Sequence, residues 1–150
     1  MTRAMFQVLV IPYRFEVDRT VAYGLLRRSE DDGGYWQWVA GGEEAGETPL
    51  DAAIREAFEE VGVPADSNLM RLDAVASIPI SELPAFADRT DIHVVTEYSF
   101  GVRVDSRELR LSDEHTAFRW ASYADALAAL HWDSNKTALW ELNRRLATSP

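Results

Sequence analysis

Residues 41–63 read GGEEAGETPLDAAIREAFEEVGV, and their punctuation decides how the rest of the chain is understood. Gly41, Gly42 and Gly46 open the stretch as a glycine-rich turn. Thr48 is a good N-cap, Pro49 takes the first helical position, where no donor N–H is needed, and Asp51 completes an approximate capping box. Gly62 supplies a left-handed stop and Pro64 prevents resumption, so a helix is predicted over Pro49–Val61.

At about 100° per residue this helix has two contrasting sides. Leu50, Ala53, Ile54, Ala57, Phe58 and Val61 share the side expected to face a core. Glu56, Glu59 and Glu60 cluster on the other, with Ala52 beside them and Arg55 at the edge. Glu56 neighbours both Glu59 and Glu60, and each like-charge pair costs about 0.2–0.5 kcal/mol in an isolated helix. Taken alone, three glutamates describe a solvated acidic face. With no lysine interleaved they also offer hard oxygen ligands to a cation, and without Cys or His among them they favour Mg²⁺ or Mn²⁺ over zinc.

The pattern extends beyond the helix. Gly41, five residues, Glu47, seven residues, then Arg55-Glu56-Ala57-Phe58-Glu59-Glu60-Val61-Gly62-Val63 resembles the signature of the Nudix hydrolases. That signature is G-x5-E-x7-R-E-U-x-E-E-x-G-U, with U a bulky aliphatic residue. Every fixed polar and glycine position matches; Ala57 at the first U is the one departure, a loss of bulk that bears on packing. The resemblance implies an α/β fold of the Nudix type, an α/β/α sandwich around a mixed β-sheet, with this stretch as a loop-helix-loop against the sheet. It further implies that Glu56, Glu59 and Glu60 hold divalent metal ions that bridge a diphosphate, with Glu56 also acting on the attacking water. Arg55 is expected to orient a carboxylate through its fork of donors. Glu47 is expected behind the metal ligands or on a metal-bound water, and the loop at Gly41 to offer a carbonyl to the metal. Hydrolysis of a diphosphate needs water in line with phosphorus and charge neutralised on the bridging and leaving oxygens, which carboxylate-held Mg²⁺ supplies.

Length and charge set the frame. A chain of 150 residues is expected to form one domain over its whole span, and 47% hydrophobic residues with interspersed charges describe a globular protein. No apolar run approaches the roughly 20 residues of a membrane span. The stretch MFQVLVIPY near the start reads as a strand and not as a signal peptide. The absence of cysteine excludes disulfides and thiolate chemistry and fits a cytoplasmic protein. A net charge of −10 argues against general nucleic-acid binding, which needs a basic surface.

Strands are expected over Met5–Tyr13, Thr20–Arg27, Tyr35–Val39, Leu69–Ile78, Ile92–Val104 and Phe118–Ala121, with further helices over Tyr123–Leu130 and Asn135–Leu146. Strands around a central helix, followed by terminal helices, suggest a mixed sheet covered on both faces. His93, His115 and His131 have no metal-like spacing.

Outside the glycine-glutamate stretch, the acid in Leu111-Ser112-Asp113-Glu114-His115 precedes a short aromatic strand. It resembles the position from which several Nudix enzymes supply a further metal ligand or general base; Glu114 is the candidate, with Glu97 in the strand VVTEYSF as the rival. Arg27-Arg28 and Tyr35-Trp36-Gln37-Trp38-Val39 resemble the segment before the box in dihydroneopterin triphosphate pyrophosphatases, and Leu111–Trp120 resembles theirs and that of diadenosine tetraphosphate hydrolases. On this basis Arg27 would meet a phosphate and Trp36 would stack on a heterocycle, while pairing of Arg27 with Glu30, Asp31 or Asp32 and packing of Trp36 are the structural readings.

The resemblance implies a Mg²⁺-dependent hydrolase of a phosphoanhydride in a nucleoside or pterin substrate. Dihydroneopterin triphosphate comes first, (d)NTPs second and dinucleoside polyphosphates third. It also makes a homodimer an expectation, since the family often pairs. A non-catalytic nucleotide-binding regulator on the same fold is the alternative of another class; such proteins usually lose box carboxylates, and here Glu56, Glu59 and Glu60 are all present.

Overall fold

A computed structural model describes residues 5–83, 86, 88–113 and 115–148, and for residue 32 the backbone alone. Ten regular elements carry the fold. The strands are β1 (Phe6–Phe15), β2 (Val21–Arg28), β3 (Trp36–Gln37), β4 (Val39–Gly42), β5 (Leu69–Pro79), β6 (Val94–Arg103) and β7 (His115–Ala121). The helices are α1 (Pro49–Val61), α2 (Tyr123–Ala129) and α3 (Asp133–Thr148).

The sheet runs β3-β2-β1-β6-β5, with β4 also pairing β1 and β7 also pairing β2. β1 is its axis. Along one edge it pairs in parallel with β6 from Phe6↔Thr96 to Tyr13↔Arg103. Its other edge is shared, with β4 antiparallel over Gln7–Val10 and β2 antiparallel over Tyr13–Phe15. Pro12, which has no N–H to give a ladder, falls at the changeover.

Residues of β1 point alternately to two cores, as the period of two in a strand requires. Phe6, Val8 and Val10 pack with Ala52, Ala53, Ala57 and Val61 of α1. Leu9, Ile11 and Tyr13 pack with Ala126 of α2 and with Ala138, Leu139 and Leu142 of α3. One helix on one face and two on the other make the mixed α/β/α sandwich that the resemblance implied. No described helix is long and apolar enough to cross a membrane.

α1 has the predicted boundaries and caps: Thr48 accepts from the Asp51 N–H, Asp51 accepts from the Thr48 N–H, and Gly62 closes the helix at φ +75°. Its buried stripe differs from the expected one. Ala52, Ala53, Ala57, Glu60 and Val61 are buried, whereas Leu50 and Phe58 are 44% and 48% exposed. The helix is rolled toward β4, whose Ala40 N–H takes Glu60 as its acceptor, and Phe58 is covered from outside by the Arg110 guanidinium at 5.6 Å. Gly41 and Gly42, expected in a turn, are the last residues of β4.

A second anchor lies far from α1. The ladder between β5 and β6 is irregular between Arg71 and Val75, and the N–H groups of Asp73 and Ala74 donate instead to the Glu141 carboxylate of α3, both at 2.7 Å. Arg145, one helical turn on, also donates to Glu141 at 2.7 Å.

Candidate active site

Gly41 stands opposite Val8 and Gly42 opposite Gln7 where β4 ends, and the chain then loops out to enter α1. The Glu56 carboxyl lies directly over Gly41. A Cβ built there would stand 2.1 to 2.5 Å from the carboxyl atoms, so only glycine permits the approach.

Arg55 braces the loop to the helix. Its Nε and Nη2 donate to the two oxygens of Glu47 at 2.8 and 3.0 Å, and Nη2 donates again to the Gly42 carbonyl at 2.8 Å. Nη1 donates to Glu56 at 2.8 Å and to Glu59 at 3.2 Å, and Glu44 stands 3.6 Å away. A planar fork suits this work where a lysine would not. The hydrogen bonds from Arg55 hold the Glu47 carboxyl below the usual range, and Glu47 in turn pushes the already high Arg55 pKa higher.

Glu60 turns inward. It is 2% exposed, accepts from the Ala40 N–H at 3.2 Å and lies 3.5 Å from Nε2 of His115. Burial, then the Arg28 charge, lowers the His115 pKa to about 4, so the imidazole is neutral at pH 7 and this contact is not an ion pair.

The oxygen donors fit a hard divalent cation. Burial pushes the Glu56 carboxyl up, against Arg55 and a hydrogen bond with the Glu60 carboxyl, and the Glu59 charge pushes it further up. Glu47, Glu56 and Glu59 share the one Arg55 guanidinium, so the carboxylates outnumber the cation that holds them. Among the described residues no three acidic or histidine groups are drawn into a ready shell. Glu60 faces β4, while Arg55 holds Glu56 and Glu59.

From Gly41, Gly42 and Glu56 a cleft of about 650 Å³ runs across β1 toward β6 and the start of α3. Its inner part is lined by Gln7, Leu9, Gln37, Glu97, Ser134 and Asn135, and its rim by Arg28, Tyr35, Phe86 and Trp132. The aromatic side of the rim is braced: Tyr35 stacks on His131 at 4.5 Å and meets Trp132 edge-on at 5.3 Å.

The candidates therefore separate. Gly41, Glu56 and Arg55 meet at one end of the cleft, with Glu59 and Glu60 on the same helix. Glu97 lies within the cleft, and Glu114 lies outside the described residues. Arg27 and Trp36 do not line it. Arg27 donates to the Gly34 carbonyl and to Glu30, both at 2.9 Å. Trp36 packs on the α2–α3 core, with Arg119 5.1 Å above its ring. The neighbours Arg28, Tyr35 and Gln37 line the cleft instead: Arg27 is paired with Trp36, and the period of two in a strand turns the residues on either side of that pair the other way. Trp132 and Asn135, which sequence reasoning passed over, carry no local signal. Their role follows from where α3 starts: Asn135 Oδ1 accepts the Trp38 N–H at 3.1 Å and its carbonyl accepts Trp38 Nε1 at 3.0 Å.

Comparison with known proteins agrees with this arrangement. The family model described as NUDIX domain matches residues 7–140. A dihydroneopterin triphosphate diphosphatase of Haemophilus influenzae is 31% identical over 135 residues, 88% of this chain and 83% of that protein. A rat asymmetrical bis(5'-nucleosyl)-tetraphosphatase is 30% identical over 135 residues, 90% and 88% of the two chains. An octanoyltransferase of Myxococcus xanthus is 38% identical over 108 residues, 71% of this chain, and the match spans only 28% of that protein. A crystal structure of a NUDIX hydrolase from Listeria monocytogenes superposes with a TM-score of 0.84 at 42% identity, over 95% of this chain and 94% of that one.

Proposed function

The chain belongs to the NUDIX domain family, and from that premise we propose that it is a divalent-cation-dependent pyrophosphohydrolase acting on the triphosphate of a pterin or purine compound. The observation that carries this reading is the Glu56 carboxyl over Gly41 at the mouth of a cleft large enough for a bicyclic ring. The similarity to a dihydroneopterin triphosphate diphosphatase supports the pterin compound as the first substrate to test.

Glu56, Glu59 and Glu60, with the Gly41 carbonyl, are the groups to hold Mg²⁺, as the hard-oxygen set at this end of the cleft suggests. When bound, Mg²⁺ supplies charge neutralisation on the phosphates and a more acidic water. The chain's own residues do the placing. Arg55 fixes Glu56 and the Gly42 carbonyl relative to one another through hydrogen bonds at 2.8 Å. Glu56, whose carboxyl burial pushes up, is suited to accept a proton from water. Arg28 on the rim adds positive charge toward the phosphates, and Tyr35 and Trp132 flank the ring.

The test is a substrate panel: dihydroneopterin triphosphate, nucleoside triphosphates, ADP-ribose and diadenosine polyphosphates, each with Mg²⁺ and with chelator. Pyrophosphate release chiefly from the pterin, lost on chelation, is the expected result. Preference for diadenosine polyphosphates would replace the substrate, and turnover of none would overturn the reading.

A further inference from the structure

One group in the cleft has no part in the carboxylate cluster on α1. Glu97 sits on the central strand β6 and is 2% exposed. A buried carboxylate is costly without partners of matching chemistry. Gln7 Nε2 donates to Glu97 Oε2 at 2.7 Å, while Oε1 has no hydrogen bond of ordinary geometry among the described residues. The Ser134 hydroxyl also draws on this carboxyl, more strongly than Gln7 does. No arginine, lysine or histidine pairs with it among the described residues. The cleft it shares is lined by the amides Gln37 and Asn135 and by Leu9 and Phe86, with Arg28 and the acids Asp31, Glu43, Glu56 and Glu82 also along it. Such a carboxylate lacks neutral N–H donors more than it lacks a cation.

Position matters as much as chemistry. Gln7 pairs with Gly42 on one side and with Glu97 on the other, so Glu97 stands two strand spacings, about 10 Å, from the end of β4 where Glu56 lies. A substrate whose phosphates meet the α1 end would carry its ring to Glu97.

We propose that Glu97 selects the ring: held by Gln7, its carboxylate accepts the paired N–H donors of a 2-amino-4-oxopyrimidine edge, the edge shared by guanine and pterin rings. This rests on the reading of the cleft as a binding site for a heterocyclic triphosphate. The ring N–H and the adjacent amino group present two parallel donors, which a carboxylate accepts side by side. Adenine sets an unprotonated ring nitrogen beside its amino group, so a lone pair would oppose the carboxylate. Hypoxanthine lacks the amino group and leaves one oxygen unmatched. Burial raises the Glu97 pKa against Ser134 and Gln7, and two N–H donors from a substrate would favour the ionised form on binding.

The experiment measures kcat and KM for dihydroneopterin triphosphate, GTP, ITP and ATP with wild type and Glu97→Gln. Wild type should prefer the better of the first two over ITP by about 10-fold or more in kcat/KM; whichever is better identifies the ring. Glu97→Gln should bring that ratio near one, mainly through KM. A uniform fall in kcat on all four with the ratio intact would overturn the proposal, as would a wild type indifferent to the amino group. The wild-type ratio needs no variant, so it decides the matter even if Glu97→Gln does not fold. If wild type hydrolyses none of the four, the functional reading fails, and equilibrium binding of neopterin, GDP and IDP still tests Glu97. Tighter binding of either 2-amino-4-oxo ligand than of IDP, lost in Glu97→Gln, would uphold its role; equal binding would end it.

Discussion

The two ends of the cleft solve the problem of a carboxylate in opposite ways. At the α1 end, the carboxylates of Glu47, Glu56 and Glu59 all bond to one arginine, Arg55. On β6, Glu97 is enclosed and held by the Gln7 amide, with the Ser134 hydroxyl also drawing on its carboxyl. The first arrangement gathers more carboxylates than the single guanidinium offsets, which suits the metal and phosphates proposed for it. The second is a buried carboxylate beside an amide and a hydroxyl, which suits the ring edge proposed for it. In the proposed reading, affinity for charge and discrimination between rings fall to separate parts of one cavity.

The sharpest way to break this division is Glu56→Gln. It should lower kcat by about 10²–10³ on every substrate of the panel alike, with the melting temperature preserved. A loss confined to one ring type would mean that the two ends are not independent. Arg55→Lys should have a smaller effect, about 10-fold in kcat/KM, because the charge stays while the fork that joins Glu47, Glu56 and the Gly42 carbonyl is lost. Unchanged kinetics would show that the brace is dispensable. The smallest effect on turnover is expected for Glu141→Gln, outside the cleft. It should leave kcat within twofold and lower stability by about 1–2 kcal/mol, a fall of several degrees in Tm.

The Glu141 variant also has a pH signature. Burial raises the Glu141 carboxyl, but the N–H groups of Asp73 and Ala74 and the Arg145 guanidinium outweigh it and leave the folded pKa lowered. A lowered folded pKa contributes stability that is fully present above the unfolded value, about 4.3, and is lost as pH falls through the folded one. The Tm gap between wild type and Glu141→Gln should therefore hold steady from pH 7 to 5 and narrow below about pH 4. A gap that widens in acid would contradict the clamp.

The same contrast explains what was readable in the residues. α1 and its caps were legible because Thr48, Asp51 and Gly62 act within one turn of the backbone they terminate. The meeting of Arg55 with Glu59 follows from helical spacing. The direction of Glu60 was not legible, since it depends on an N–H of β4 that only the tertiary arrangement brings near. Arg28 and Gln37 were passed over for Arg27 and Trp36 because that choice rested on a resemblance of the segment, which does not say which side of each strand turns to the cleft. Glu97 was noticed as a charge in an apolar strand. Its partner Gln7, 90 residues away, could not be seen along the chain.

β1 carries a further consequence, for how the chain acquires its shape. It is made well before its partner along one edge, β6, which ends at Arg103. The hairpin-like contacts of β1 with β2 and β4 and the docking of α1 involve near neighbours and can form early, whereas the parallel seam must close a loop of about 90 residues before any of its bonds offset the cost. Until Arg103 has emerged, the nascent chain holds an unpaired strand edge at what will become its centre, and seam closure is the step expected to set the folding rate.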